Sequence, residues 1–187
     1  MEKLCPQFHI SLQSGCDSTL KRMNRKYTTK EYLRSVELLR ENLKDVAVTT
    51  DVMVGFPGET DEEFNETCRF VEKVLFARMH VFKYSRRKGT PAASYPDQVA
   101  PQKKEERSRI LIELASRMTL EYNKSFTGRV LPVLFEQEVK GKEGFMEGLT
   151  PNYIRVECKG DKDIEGQILN VLLREAKDDY IVGEIVN

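Results

Sequence analysis

None of the four cysteines, Cys5, Cys16, Cys68 and Cys158, stands at the CxxC or CxxxCxxC spacing used by zinc and iron-sulfur sites, so the sequence spells no metal motif. They are read as free thiols that act as small packing groups. Net charge is also missing. Thirty Lys and Arg cancel thirty Asp and Glu, which removes any global argument for a polyanionic partner and leaves local clustering to make one. No apolar run approaches the roughly 20 residues of a membrane span, and the first residues lack the apolar stretch of a secretory signal. A cytoplasmic protein with no membrane partner is the expectation.

What is there suffices for a core: 40% of 187 residues are hydrophobic, so disorder is not the default. Charge is unevenly spread. From Gly128 onward 8 Lys and Arg face 12 Asp and Glu, a net −4, which leaves the first 127 residues at +4. The front part is the basic one.

Phe8 to Leu12 alternates as a half-buried strand does and runs into the turn Gln13-Ser14-Gly15-Cys16-Asp17, with Asp17 placed to cap a short helix. Thr28 and Glu31 have capping-box spacing ahead of Tyr32, Val36, Leu39 and Leu43, which predicts an amphipathic helix. Val46 to Val54 is a β-branched strand stopped by Gly55-Phe56-Pro57-Gly58. A second capping box, Thr60 and Glu63, opens a helix with Phe64, Cys68, Val71 and Leu75 on one face, and Met79 to Tyr84 is a further strand. This alternation implies a parallel sheet of three strands, too few to close a barrel, with an edge at the Phe8 strand. A long polar helix follows Pro101, carries Leu111, Leu114, Met118 and Tyr122 on one side, and stops near Gly128. Beyond it, Arg129 to Phe135, Phe145 to Leu149, Tyr153 to Cys158, Gln167 to Glu175 and Tyr180 to Ile185 read as five short strands of a small barrel. The domains are therefore expected at 1–127 and 128–187.

Loops Gln13 to Asp17, Gly55 to Glu59 and Ser85 to Thr90 each leave the C-terminal end of a strand, where a parallel sheet gathers its ligand contacts. Gly55 and Gly58 permit close backbone approach. Glu59 sits beside a helix N-terminus, where it either favours the dipole or orients a ligand hydroxyl. Lys21, Arg22, Arg25 and Lys26 follow the first loop, and Lys83, Arg86, Arg87 and Lys88 surround the third, with no acid inside either run. Such clusters suit phosphates, and an RNA substrate fits them. His9 and His80 fall inside apolar strand segments and are expected to be satisfied core histidines.

Three stretches carry a family likeness: Leu12-Gln13-Ser14-Gly15-Cys16-Asp17 with Leu20-Lys21-Arg22-Met23-Asn24-Arg25, then Asp51 to Thr60, then Tyr84-Ser85-Arg86-Arg87-Lys88-Gly89-Thr90-Pro91-Ala92. They resemble the radical S-adenosylmethionine methylthiotransferases. The tail, with Gly148-Leu149-Thr150-Pro151-Asn152-Tyr153-Ile154-Arg155-Val156, resembles the RNA-binding TRAM domain of that family. The resemblance covers essentially the whole chain. It implies an α/β fold, the C-terminal half of an incomplete (β/α) radical SAM barrel, followed by a small all-β, OB-like TRAM barrel. The loop wording is most similar to the branch that methylthiolates C2 of N6-threonylcarbamoyladenosine beside the anticodon.

The family uses S-adenosylmethionine and two 4Fe-4S clusters, one held by CxxxCxxC and one by three cysteines of a preceding domain. This sequence has neither ligand set, so it is expected to be a fragment that binds no cluster and has no turnover of its own. Full-length relatives imply a tRNA anticodon arm as partner and a flavodoxin-like electron donor.

Carried over by motif, Gln13 and Ser14 match the loop that approaches the ribose and methionine parts of the cofactor, and Arg25 its carboxylate. Met53 and Gly55 match apolar positions near the adenine, Phe82 and Tyr84 match the strand whose backbone lines the same pocket, and Glu59 is counted with them as cofactor-binding. Asp51 stands where many radical enzymes place glycine. Lys83, Arg86 and Arg87 are assigned to tRNA phosphates. Arg129, Asn152, Tyr153 and Arg155 are assigned to the anticodon arm, with Tyr153 able to stack on an unpaired base. No catalytic residue or metal ligand is assigned. The alternatives are a methylthiotransferase for isopentenyladenosine tRNA or a ribosomal-protein aspartate, and a standalone RNA-binding module.

Overall fold

The computed structural model describes residues 4–186, which divide into two compact units. One consists of Phe8–Lys44 and Val48–Met118. The other takes the segment ending at Gln7, Asp45–Ala47 and everything from Thr119 onward.

The first unit is built on strands β1 (Gln7–His9), β2 (Ala47–Val54) and β3 (Arg78–Lys83) in the order β1-β2-β3. β2 and β3 are parallel, with Asp51 opposite His80 and Met53 opposite Phe82. Past β1, Gln13 pairs with Val52, also in parallel. The first strand is shorter than the Phe8 to Leu12 expected from alternation because the Thr50 hydroxyl enters the ladder. It donates to the Ile10 carbonyl at 2.7 Å and accepts from the Leu12 N–H at 2.9 Å, replacing backbone partners.

Helices α1 (Asp17–Arg22), α2 (Thr29–Asn42), α3 (Asp61–Val74) and the first part of α4 (Pro101–Lys124) complete the unit. Both expected capping boxes form, Thr28 with Glu31 and Thr60 with Glu63, each satisfying two otherwise orphaned N–H groups. Asp17 does not cap α1. Cys16 occupies that position, and Asp17 Oδ1 instead accepts from the Thr29 N–H at 2.7 Å, tying α1 to the start of α2. Leu75 is likewise not on the buried face of α3: it is the left-handed C-cap and is exposed, while Phe64, Thr67, Val71 and Val74 face inward. Together with Leu12, Tyr32, Val36, Val48, Val52, Val54, Phe76 and Leu111 they form the core. Each fully buried aliphatic or aromatic side chain there contributes about 1.5–3 kcal/mol.

The second unit is a closed five-stranded barrel, β4 (Val130–Glu138), β5 (Phe145–Leu149), β6 (Arg155–Lys159), β7 (Ile168–Ala176) and β8 (Ile181–Ile185), in the order β4-β5-β6-β8-β7. All pairs are antiparallel except β6 with β8. Register shifts at Phe135/Gln137 and Leu173/Glu175 mark the bends that let a short sheet close on itself. Val133, Phe135, Met146, Val156, Cys158, Val171, Leu173 and Ile181 fill the interior. At Gly148 a Cβ would stand 2.2 Å from the Leu134 carbonyl oxygen, so only glycine lets β4 and β5 approach there.

Among the described residues no helix is long and apolar enough to cross a membrane.

Candidate functional site

In the first unit the three strands run the same way, so the loops after Leu12, Val54 and Lys83 emerge along one edge, and side-chain contacts bind them together. Gly55 has φ +72°, and a Cβ there would meet Lys104 Cγ at 2.4 Å. The lysine stem needs that gap: its Nζ donates to the Tyr84 carbonyl at 3.1 Å and lies 5.0 Å from the Tyr84 ring. Phe56 packs edge-on against Tyr84, with centroids 5.3 Å apart. The second and third loops thus share one support. The first is pinned from below, where the buried Ser14 hydroxyl lies 3.2 Å from Thr67 Oγ1 and accepts from the Cys16 N–H.

Glu59 is buried. It accepts from the Gly55 N–H at 3.0 Å and from Arg107 Nη1 at 2.6 Å, and Arg107 also donates to Asp61 and to the Glu59 carbonyl. Burial raises the Glu59 carboxyl above its ordinary range, while the Gly55 N–H and the guanidinium oppose that shift. Of the two roles left open for Glu59, the geometry supplies a third: its carboxylate closes the Gly55–Glu59 turn. Arg107 was not found in the sequence because it lies in α4, 48 residues away, inside a run of charged residues with nothing to single it out.

Met53, Phe82, Lys83, Tyr84, Ser85, Arg87, Thr90 and Ala92 line a cavity of ≈ 420 Å³ at the ends of β2 and β3. Of the residues expected near a cofactor, Met53, Phe82 and Tyr84 are here. Phe82 is exposed, and Tyr84 is buried with no partner for its hydroxyl among the described residues. Ser14 is buried, and Gln13 takes φ 69° as its backbone pairs with Asp51 and Met53. Arg25 is exposed.

The basic runs are less uniform in space than in sequence, because other segments supply the acids they lack. Arg22 donates to both oxygens of Glu63 from α3, one at 2.9 Å, and Lys83 pairs with Glu105 from α4 at 2.7 Å. Burial pushes the Glu63 carboxyl up, but the Arg22 guanidinium and the Thr60 N–H hold it below its ordinary range. Arg86 Nε donates to the Ala93 carbonyl at 2.6 Å, and Arg87 has no carboxylate partner among the described residues.

The two histidines are not core groups. Both are exposed, on the sheet face opposite the helices. His9 Nδ1 lies 3.1 Å from Thr49 Oγ1, and Nε2 lies 3.2 Å from both Asp51 Oδ2 and Ser11 Oγ. Apolar neighbours in sequence suggested burial, but the period-two alternation of a strand puts His9, Asp51 and His80 on the other face. Asp51 is the partner that a local reading of His9 could not supply.

In the second unit, most of the residues expected to meet RNA are engaged internally. Arg129 forks onto Asp45 and lies over the Phe126 ring at 4.7 Å. Asn152 is buried, its amide donating to Tyr122 at 2.9 Å and to the Asp45 carbonyl at 3.2 Å. Arg155 contacts Glu147 at 2.5 Å, Glu157 at 3.1 Å and Asp179 at 3.5 Å. Tyr153 differs: it is 56% exposed, held at φ 62° by the turn that Thr150 and Asn152 brace, and borders an apolar hollow with Pro132, Leu134, Leu149 and Ile168.

Among the described residues no three His, Cys, Asp or Glu side chains stand together to hold a metal ion. Burial raises the Cys16 thiol, moves Cys68 up to about 11 and Cys158 up to about 12, so these three are protonated near neutrality.

Residues 1–71 match the family model of the Radical SAM superfamily. Over 185 residues the chain is 42% identical to the tRNA-2-methylthio-N(6)-dimethylallyladenosine synthase of Symbiobacterium thermophilum, a match covering 99% of this chain and 39% of that protein. The synthase of the same name from Acetivibrio thermocellus is 40% identical, covering 99% and 38%. The threonylcarbamoyladenosine tRNA methylthiotransferase MtaB of Bacillus subtilis is 41% identical over 187 residues, covering 99% and 42%. The chain thus spans about two fifths of the length of the curated relatives it matches. The likeness read from the loop motifs holds from end to end: the chain is similar along its whole length to a part of named tRNA methylthiotransferases, and its first 71 residues match the Radical SAM superfamily.

Proposed function

We propose that this chain provides the substrate-facing strand ends and the RNA-docking barrel of a tRNA methylthiotransferase, one that adds a methylthio group to C2 of N6-threonylcarbamoyladenosine beside the anticodon. The observation that carries this reading is the cavity at the ends of β2 and β3, in a chain about 40% identical throughout to named enzymes of that class. Residues 1–127 are assigned to the radical SAM domain and 128–187 to a TRAM domain. The longer enzyme would work in the cytoplasm, with a flavodoxin-like protein as electron donor.

The cavity residues fit an adenosine-bearing cofactor: Met53 and Phe82 offer apolar surface for a base, and Tyr84 brings a buried hydroxyl without a partner. When bound, S-adenosylmethionine supplies the radical and the methyl group in the enzymes that this chain resembles. Gln13, Ser14, Gly55 and Glu59 set the loop backbones around that ligand, and Arg25 is the cation assigned to its carboxylate. Turnover by the isolated chain is not expected, because none of its residues is assigned as a cluster ligand.

For tRNA, Arg86 and the exposed Lys21 and Lys88 are assigned to phosphates, and Tyr153 to stacking on an unpaired base. Lys83 is partly neutralised by Glu105. Arg129, Asn152 and Arg155 are given positioning roles, because their donors are used within the barrel unit.

Mass spectrometry of tRNA nucleosides from a strain lacking the gene is the test. Loss of 2-methylthio-N6-threonylcarbamoyladenosine, with its unthiolated precursor retained, is expected. Loss of the dimethylallyl counterpart would transfer the assignment to that substrate, and unchanged tRNA would reject the enzyme reading.

A further inference from the structure

We infer that Asp51, fixed by His9 and Ser11 on the open face of the sheet, positions the target adenosine by accepting a hydrogen bond from its N6–H, an inference that rests on the chain acting on an N6-substituted adenosine. The place is beside the cofactor cavity and not in it: none of His9, Ser11, Asp51 and His80 lines that cavity. Met53 does, and it stands two residues beyond Asp51 on the same face of β2, about 7 Å along the strand. A base held at Asp51 lies next to whatever fills the cavity.

A parallel sheet ordinarily has both faces covered. Here Thr50, Val52 and Val54 of β2 are buried, while Thr49, Asp51 and Met53 are only half-buried and His9, His80 and Phe82 are exposed. On this open face three side chains converge around one carboxylate. His9 Nε2 and Ser11 Oγ lie 3.2 and 3.3 Å from Asp51 Oδ2, and Thr49 Oγ1 lies 3.1 Å from His9 Nδ1, which sets the orientation of the ring. Ser11 and Asp51 meet the same ring nitrogen, so this is not the relay of a nucleophilic serine, in which acid and serine use opposite nitrogens. The arrangement instead holds Asp51 still. Its Oδ1 has no hydrogen-bond partner among the described residues and is left as a fixed acceptor. Contacts this exposed, 41% for the His9 side chain and 28% for that of Asp51, contribute little to folding, so stability does not account for them.

The surroundings select the ligand. A carboxylate repels phosphate, and among the described residues no three His, Cys, Asp or Glu side chains stand together for a metal ion. His80 is opposite Asp51 in register, and its ring lies 6.5 Å from that of Phe82, itself opposite Met53. Two exposed rings beside a fixed acceptor suit a flat heterocycle with an N–H on its edge: the rings stack on its face and the carboxylate reads the edge. An N6-substituted adenosine keeps one such N–H whether the substituent is threonylcarbamoyl or dimethylallyl. Asp51 thus reads the part that both share.

His9 and His80 are the two histidines of the chain, so their ring signals in NMR of the 187-residue chain report on this face. The probes are N6-methyladenosine, its isostere 6-methoxypurine riboside, in which an ether oxygen replaces the N–H, and argininamide. N6-Methyladenosine is expected to shift both rings and to bind about tenfold tighter than the ether, the scale of a hydrogen bond to a charged group. Asp51→Asn, whose amide can turn either end to the ligand, should remove that preference without changing Tm. His9→Ala, which frees the carboxylate to rotate, should reduce it. Arg174→Gln, which alters an exposed pair with Glu184 in the barrel unit, should change nothing. Equal affinity for the two nucleosides, or a preference that survives Asp51→Asn, overturns the role of Asp51. So does the absence of any ring shift, a response confined to the Met53 methyl, which assigns the nucleoside to the cofactor cavity, or binding of argininamide alone, which assigns the face to a basic peptide. None of these outcomes decides the proposed function, which stands or falls with the tRNA nucleosides of the strain lacking the gene.

Discussion

The arginines of the two units are used in opposite ways. In the barrel unit all three, Arg129, Arg155 and Arg174, are paired with carboxylates. Along the loop edge of the sheet unit, Arg22 and Arg107 are paired inside the fold, but Arg86 donates only to a backbone carbonyl and Arg87 has no carboxylate partner among the described residues. The lesson is that a count of basic residues does not locate a polyanion site. The barrel keeps its exposed aromatic, Tyr153, as its distinctive surface group, and the sheet unit keeps its unpaired cations at the strand ends.

Breaking the paired class should hurt folding most. Arg107→Ala leaves the Glu59 carboxylate buried beside Gly55, and removal of one partner of such a pair costs about 3–5 kcal/mol. Segment-resolved hydrogen exchange should show the loss in β2, α3 and α4, with β4 to β8 far less affected. In the barrel the comparable weak point is backbone approach. Gly148→Ala is expected to cost about 1–3 kcal/mol through the contact with Leu134, with faster exchange confined to β4 and β5.

These two positions also show what the sequence reveals and what it hides. Every strand was legible, because β-branched runs and turn residues are local signals, and so were the capping boxes and the loops on which the cavity is built. Arg107, the pairing of Arg22 with Glu63, and the His9–Asp51 contact were not, since each joins segments 41 to 48 residues apart. His9 is exposed where its apolar neighbours suggest burial for a related reason: alternation tells which residues share a face but not which face is covered.

Smaller effects sharpen the contrast. Tyr153→Ala should weaken RNA binding by about 1–3 kcal/mol, the scale of one base stacked on an aromatic ring, without altering its salt dependence. Acid should weaken the sheet unit through Glu63. Because its carboxyl is lowered in the folded chain, the stability it contributes is present above its ordinary value of 4.5 and is lost as pH falls through the lowered value. Arg22→Ala should flatten that part of the acid-unfolding curve. The mildest test is chemical: at neutral pH iodoacetamide should label exposed Cys5 first, Cys68 slowly, and buried Cys16 and Cys158 only on unfolding.

The central claim is that phosphate contacts come from the strand-end cations and not from the barrel arginines. The measurement is the salt dependence of binding to an anticodon stem-loop, compared for Arg86→Gln and Arg155→Gln. Arg86→Gln is predicted to reduce the slope of log K against log salt by about 1, and Arg155→Gln to leave it unchanged. An unchanged slope for Arg86→Gln with a reduced one for Arg155→Gln would contradict the account.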